Sequence, residues 1–366
     1  MTRLARASLV AALALVATAT RLPAASASDD AIVEVHFAMG TPVAITARGD
    51  DEAHTRTAMR AAFREIRRLE TLLTVWNPDS ETSRLNLDAG GAPRAIAPEL
   101  ADVLRTAQRL GRETGGAFSV LVGPVVDAWR AAEPDAPDAA QLARTTALAD
   151  PRGLVLDAHG RAALRHAGMR VDLDGIAKGV AADRALALLR AHGVHAAIVN
   201  LGGSSMAAFG DAGDGARGWP VELPTSEAAS AAAAARPPAV VRLVDEALSV
   251  SASGVGEPDG DDAPPRRRTI VDPRTGRRIA HDATALVLHR SATDAEAWSK
   301  ALLVRGADDT TGRAGFGIRA MLLLDDRAGA ALCTARFRNP SGVCKVPSPA
   351  AASIDAPRDA QERLGG

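Results

Sequence analysis

The chain has 366 residues with 43 Lys+Arg against 44 Asp+Glu, a near-zero net charge that excludes a nucleic-acid binder working by phosphate neutralisation. Two cysteines exclude a disulfide scaffold and a four-thiolate metal site, and 47% hydrophobic with 24% charged residues excludes wholesale disorder. The basic residues are almost all arginine, the lysines being Lys178, Lys300 and Lys345.

In chain order, Arg3 and Arg6 precede an apolar run from Ala7 to Ala19, and Ala25-Ser26-Ala27 supplies a small-x-small cleavage site. Residues 1–27 therefore read as a secretory signal peptide, too short in its apolar part to stay as a membrane anchor. A periplasmic protein follows, soluble, without a lipid-anchor cysteine after the signal. Residues 31–48 read as two strands joined at Met39-Gly40-Thr41-Pro42. Between Asp51 and Leu73, Met59, Ala62, Phe63, Ile66, Leu69 and Leu73 repeat at helical spacing. Pro98 to Gly111 predicts a second helix, Gly175 to Ala191 a third, and Thr293 to Val304 a fourth. Ala196 to Leu201 reads as a buried strand, and Ala320 to Leu324 as a late one. This alternation points to an α/β (α+β) fold.

Residues 226–238 and 256–268 are low-complexity and read as exposed loops within one domain over residues 28–345. Residues 346–366 read as a disordered tail. In an oxidising compartment a Cys333–Cys344 bond is open. A two-residue loop at Pro340-Ser341 would set Cys344 opposite Phe337, so that bond needs a wider loop.

Generic catalytic motifs are missing: the sequence has no P-loop, no G-x-G-x-x-G directly after a strand and opening a helix, no H-E-x-x-H and no G-x-S-x-G. His192 and His195 fit a helix C-terminus, and Ser204 and Ser205 fit a loop after Gly202-Gly203. The stretch Asp172-Leu173-Asp174-Gly175-Ile176-Ala177-Lys178-Gly179 sets two acids and a lysine at a helix start. It suits either an N-cap made by Asp174 or an anion site for a phosphate. Ile270 to Gly276 is a turn signature.

The order of these pieces resembles the ApbE family, the periplasmic FAD:protein FMN transferases. The matching stretches are Met39-Gly40-Thr41; Trp76 with Asn77 to Asn86; Gly116-Ala117-Phe118 with Val122-Gly123-Pro124 and Trp129; Asp172 to Gly179 with Asp183; Asn200 to Gly203; Trp219-Pro220-Val221; Ser253-Gly254; Asp272 to Gly276; and Ala295 to Leu302. The resemblance covers roughly residues 30 to 345. It implies a bilobal body with a T-fold-like core and FAD bound between lobes. The implied reaction is Mg²⁺-assisted transfer of FMN to a Ser or Thr hydroxyl of a target protein, with AMP leaving. The implied acceptor is a membrane or periplasmic redox protein.

By the same resemblance Met39, Trp76, Ala117, Phe118, Ser119, Asp174, Lys178 and Thr269 line the flavin nucleotide. Asp174, Thr269 and Lys300 stand at catalytic positions, and Ala177 (by its carbonyl) and Glu296 at metal positions. The departures are Ser119 and Leu121 for an Asp and a Thr, Val180 for an aromatic, and Thr269 for a His. At the metal helix Glu296 replaces an Asp and Lys300 a Thr. An ammonium has no lone pair to offer a cation. Glu296 and Lys300 form either an i,i+4 surface pair or a cationic substitute for the metal. Three functions follow: an active FMN transferase with weakened or lost Mg²⁺ dependence, an impaired FAD/FMN carrier, or an FAD pyrophosphatase.

Overall fold

The computed structural model describes residues 31–133, 135–223, 240–254, 270–279, 283–306 and 316–318, and the backbones of strands 320–325, 330–333 and 344–345. Residues 1–27, the loops 226–238 and 256–268, Thr269 and the 346–366 tail lie outside these.

Strands β1 (Ile32–Ala38) and β2 (Thr41–Arg48) form the expected hairpin, in register from Ile32↔Ala47 to Ala38↔Thr41. Its two-residue turn puts Met39 at φ 54° and Gly40 at φ 69°. Positive φ at both central positions matches the right-handed strand twist, and for methionine it is a strained choice.

Helix α1 (Glu52–Leu73) is capped by the Asp51 carboxylate, which accepts from the Ala53 and His54 N–H groups. It buries Met59, Ala62, Phe63, Ile66, Leu69 and Leu73, the stripe expected from the sequence. Two helices, α6 (Ala177–Ala191) and α7 (Ala292–Arg305), lie beside it on one face of the main sheet. Helix α6 starts two residues later than the sequence suggests, because Ile176 and Ala177 donate instead to the Leu173 carbonyl in a preceding turn.

The main sheet has nine strands among the described residues: β1, β2, β6 (Ala196–Leu201), β7 (Ser205–Phe209), β10 (Ala247–Ser253), β11 (Ala283–His289), β12 (Ala320–Asp325), β13 (Ala330–Cys333) and β14 (Cys344–Lys345). Pairing is antiparallel except β13 with β14, which sets Cys344 opposite Ala331. Residues 334–343, which hold the Pro340-Ser341 turn considered from the sequence, lie outside the described residues.

The helices cover one face of the sheet and the hairpin of β8 (Trp219–Glu222) and β9 (Val240–Leu243) covers the other. Trp219 is fully buried there among Ile198, Met206, Leu248, Leu286 and Leu288, and its indole N–H donates to the Phe209 carbonyl. Cover on both faces explains why β6 is buried at every residue and reads as a continuous apolar run.

The chain between α1 and α6 builds a smaller unit: α2 (Glu81–Leu87), β3 (Arg94–Ala95), α3 (Pro98–Glu113), α4 (Gly123–Ala132), α5 (Ala139–Leu148), β4 (Leu154–Leu156) and β5 (Arg161–Leu164). Helix α3 runs two residues past Gly111, whose lack of a side chain lets the helix pass against the Phe118 carbonyl.

Candidate functional site

The structure brings Phe118, Asp174, Lys178, Glu296 and Lys300 together, while Met39 and Trp76 sit on loops of their own. At the β1–β2 turn the Met39 N–H donates to Glu70 Oε1 at 2.7 Å, which anchors the strained residue onto α1. Following α1, Trp76 is 70% exposed and is overlain by the Arg130 guanidinium 5.4 Å from its ring centroid. A bare aromatic face beside a cation suits stacking on a planar ring. After α3, Thr114 Oγ1 accepts the Phe118 N–H at 3.1 Å, and Ala117 and Phe118 are buried. Ser119 does not face outward: its hydroxyl accepts the Leu121 N–H at 3.1 Å.

The 171–179 stretch is held from below. Asn86 clamps Val171 through both amide atoms, donating to its carbonyl at 2.9 Å and accepting its N–H at 2.7 Å. The Asp172 carboxylate accepts the Asp174 N–H at 3.0 Å, so Asp172, not Asp174, organises this turn. Helix α6 has no side-chain cap, and the N-cap role considered for Asp174 is corrected accordingly. Asp174 keeps an exposed edge, but enough protein crowds its carboxyl to lift the pKa to about 6. Lost hydration is the main cause and the Asp172 charge the next, while Lys178 and Arg130 act in the opposite direction.

Gly175 is the space between two expected residues. A Cβ there would stand 3.1 Å from Phe118 Cε2 and 3.3 Å from Lys300 Cδ, so the Lys300 stem and the Phe118 ring both lie against this turn. Four residues on, Gly179 lets α6 meet α7: its Cβ would fall 2.4 Å from the Ala292 carbonyl oxygen. That approach carries the Gly179 N–H to Glu296 Oε2 at 2.6 Å. The other oxygen, Oε1, accepts from Lys300 Nζ at 3.2 Å. The Glu296 side chain is 1% exposed and that of Lys300 24%, so the pair is more than a solvated surface pair. Burial pulls the Lys300 pKa down, Glu296 pushes it up, and Lys178 adds to the lowering.

A divalent cation does not fit the Glu296–Lys300 pair. Mg²⁺ needs oxygen lone pairs at about 2.0–2.1 Å in octahedral array. Both Glu296 oxygens already accept from a backbone N–H and an ammonium, and Lys300 offers no lone pair. Among the described residues no group of three or more His, Cys, Asp or Glu side chains is arranged to hold a metal.

Several contributors were not assigned roles from sequence. Asp183 accepts from Ser291 Oγ, the Ala292 N–H, and both the N–H and Oγ1 of Thr293, and so fixes the start of α7 from α6. Ser299 Oγ bonds Ser251 Oγ at 2.7 Å and Ser249 Oγ at 3.2 Å, which ties the opposite side of α7 to β10. Arg274, chelated by Asp272, packs its stem against Gly116. Its turn closes by the Gly276 N–H to the Asp272 carbonyl at 2.8 Å, as the sequence signature predicts. A cavity of about 460 Å³ opens elsewhere, between α3 and the start of α7, lined by Val103, Thr106, Arg109, Asp183, Arg184 and Thr293. None of the expected flavin-site residues lines it.

Comparison with known proteins gives a consistent picture. Residues 39–318 match the model of the ApbE family. An FAD:protein FMN transferase of Treponema pallidum (strain Nichols) is 32% identical over 297 residues, covering 75% of this chain and 79% of that protein. One of Klebsiella pneumoniae (strain 342) is 29% identical over 274 residues, covering 74% and 81%. The fold matches the apo flavinyl transferase ApbE of Pseudomonas stutzeri at TM-score 0.71 and 22% identity, over 84% of this chain and 95% of that one. Flavin transferase ApbE from Vibrio cholerae matches at TM-score 0.70 and 24% identity, over 84% and 98%. On the family model and the relatives' identity together, the chain belongs to the ApbE family.

Proposed function

We propose that the protein is an FAD:protein FMN transferase, moving FMN from FAD to a Ser or Thr hydroxyl of an acceptor protein and releasing AMP. The observation that carries the reading is the meeting, around the Asp174-Gly175 turn, of a buried aromatic (Phe118), two ammonium groups (Lys178 and Lys300) and one carboxyl lifted to about 6. The exposed Trp76 and its Arg130 add a stacking face. In the reaction an acceptor hydroxyl oxygen attacks the FMN phosphorus, the pyrophosphate P–O bond breaks, and AMP carries away the bridging oxygen. The two lysines offset phosphate charge, and Asp174 takes the hydroxyl proton. A carboxyl poised near 6 is ionised at neutral pH and more basic than an ordinary aspartate. No metal step enters this reading: Glu296 already accepts from the Gly179 N–H and the Lys300 ammonium, and Lys300 has no lone pair for a cation. The signal-like residues 1–27 support a periplasmic setting, and the acceptor in this reading is a membrane or periplasmic redox protein.

The test incubates the mature protein with FAD and a Ser/Thr-bearing acceptor. Covalent flavin on the acceptor with stoichiometric AMP supports transfer. Free FMN plus AMP without labelling indicates hydrolysis, and bound, unchanged FAD indicates a carrier.

Two substitutions sharpen it. Trp76→Ala is expected to weaken FAD binding by about fivefold to tenfold through lost stacking. Its melting temperature should hold, since the indole is 70% exposed; fluorescence titration and thermal unfolding read the two effects. Asp174→Asn should slow transfer by about 100-fold through loss of the proton acceptor. It should also stabilise the fold near neutral pH. A carboxyl whose folded pKa is raised from 3.8 to about 6 penalises folding above 3.8, with the full penalty present above about 6. After screening at its open edge the gain at pH 7 is about 1 kcal/mol, vanishing near about pH 4. Denaturation at the two pH values checks the sign.

A further inference from the structure

Glu296 and Lys300 pose a problem that a simple ion pair does not solve. Two ionic side chains are drawn out of water beside the turn that carries Asp174, where an apolar pair would pack at no such cost. The carboxylate is consumed internally, one oxygen by the Gly179 N–H and the other by the ammonium. The ammonium is not consumed: Nζ has three protons, and the only side-chain acceptor recorded for it among the described residues is Glu296 Oε1. Its stem is held straight along Gly175 beside Phe118, and the side chain keeps 24% of its surface open. Lys178 and the Asp174 carboxylate both act on the Lys300 charge, Lys178 against it and Asp174 in its favour.

We propose that the Lys300 ammonium, oriented by Glu296, is a fixed cation that stands in for a divalent metal and binds the pyrophosphate of FAD directly, so that this chain engages the nucleotide without Mg²⁺. The proposal rests on the flavin reading of the site and adds to it the source of positive charge. An ammonium is a compact point charge that donates up to three hydrogen bonds to phosphate oxygens. One goes to Glu296 and the others face the ligand. Because the ammonium lies on Oε1 and the Gly179 N–H on Oε2, a metal cation approaching Glu296 meets the Lys300 charge first.

Equilibrium binding tests this without reference to turnover. FAD affinity of the full mature chain is measured by flavin fluorescence in EDTA and again in excess Mg²⁺, with Mn²⁺ paramagnetic resonance as a direct readout of metal capture by the FAD complex. The expected result is equal affinity within about twofold and no protein-dependent Mn²⁺ signal. Lys300→Thr should weaken binding in EDTA by at least about tenfold, and Lys300→Arg should retain most of it. Unfolding curves of each variant separate lost binding from lost fold, and the wild-type comparison stands even where a variant does not fold. A tenfold or greater gain in wild-type affinity on adding Mg²⁺, or a Mn²⁺ signal from the complex, overturns the proposal and leaves the flavin reading intact. A folded wild-type chain that binds no FAD in either buffer overturns both.

Discussion

Gly179→Ala is expected to cost about 3–4 kcal/mol of stability, although alanine is the better helix former. The substitution sits at the third residue of α6, where a propensity gain of about 1 kcal/mol would otherwise apply. Space decides against it. The added methyl would lie 2.4 Å from the Ala292 carbonyl oxygen and 2.7 Å from Thr293 Cα. Both are backbone atoms, so no rotamer change relieves the overlap and the two helices must move apart. Separation also stretches the 2.6 Å bond from the Gly179 N–H to Glu296, leaving a buried carboxylate oxygen short of a donor. For a chain of 366 residues the melting temperature should drop by roughly 4–6 °C. A fall of under about 1.5 °C would show that α6 and α7 can slide freely, contrary to the packing described.

The second large effect belongs to Glu296→Ala. Removing a 1% exposed carboxylate leaves the Gly179 N–H without its acceptor and the Lys300 ammonium without its anion. Breaking a buried pair from one side costs about 3–5 kcal/mol. The 24% of the Lys300 side chain that stays open lets water offset part of this, which puts the expectation at the lower end. The double variant Glu296→Ala with Lys300→Met removes the stranded charge and should recover at least half of the loss. Chemical denaturation of both single variants and the double gives the coupling. If the double variant is no more stable than Glu296→Ala alone, the charge was never stranded.

The fold was legible where burial is one-sided and local. Helix α1 shows its stripe because only one face is buried, and β6 shows a continuous apolar run because both faces are. Helices α2, α4 and α5 went unread, being ten residues or shorter, with α5 burying nothing and α4 opening on Gly123-Pro124. The parallel pairing of β13 with β14 is a contact across the sheet, which no local pattern encodes.

For the site, two of the residues that the ordered motifs pointed to, Phe118 and Lys300, meet at Gly175. The division of labour among their residues was not readable. Asp172 rather than Asp174 holds the turn, and Asp183 reaches a helix start more than one hundred positions away. Such contacts depend on the α6–α7 crossing, whose sequence trace is only the absence of a side chain at Gly179.

The wall formed by Phe118, Gly175 and the Lys300 stem also limits how this chain can change over time. A β-carbon at position 175 would press on both neighbours, and a short side chain at position 300 would leave a gap where four methylenes now lie. The two positions are therefore epistatic. Shortening residue 300 is tolerated best when residue 175 gains volume at the same time. A threonine at position 300 is consequently reached through a less stable intermediate unless position 175 changes with it, so the lysine is held in place by volume as much as by charge.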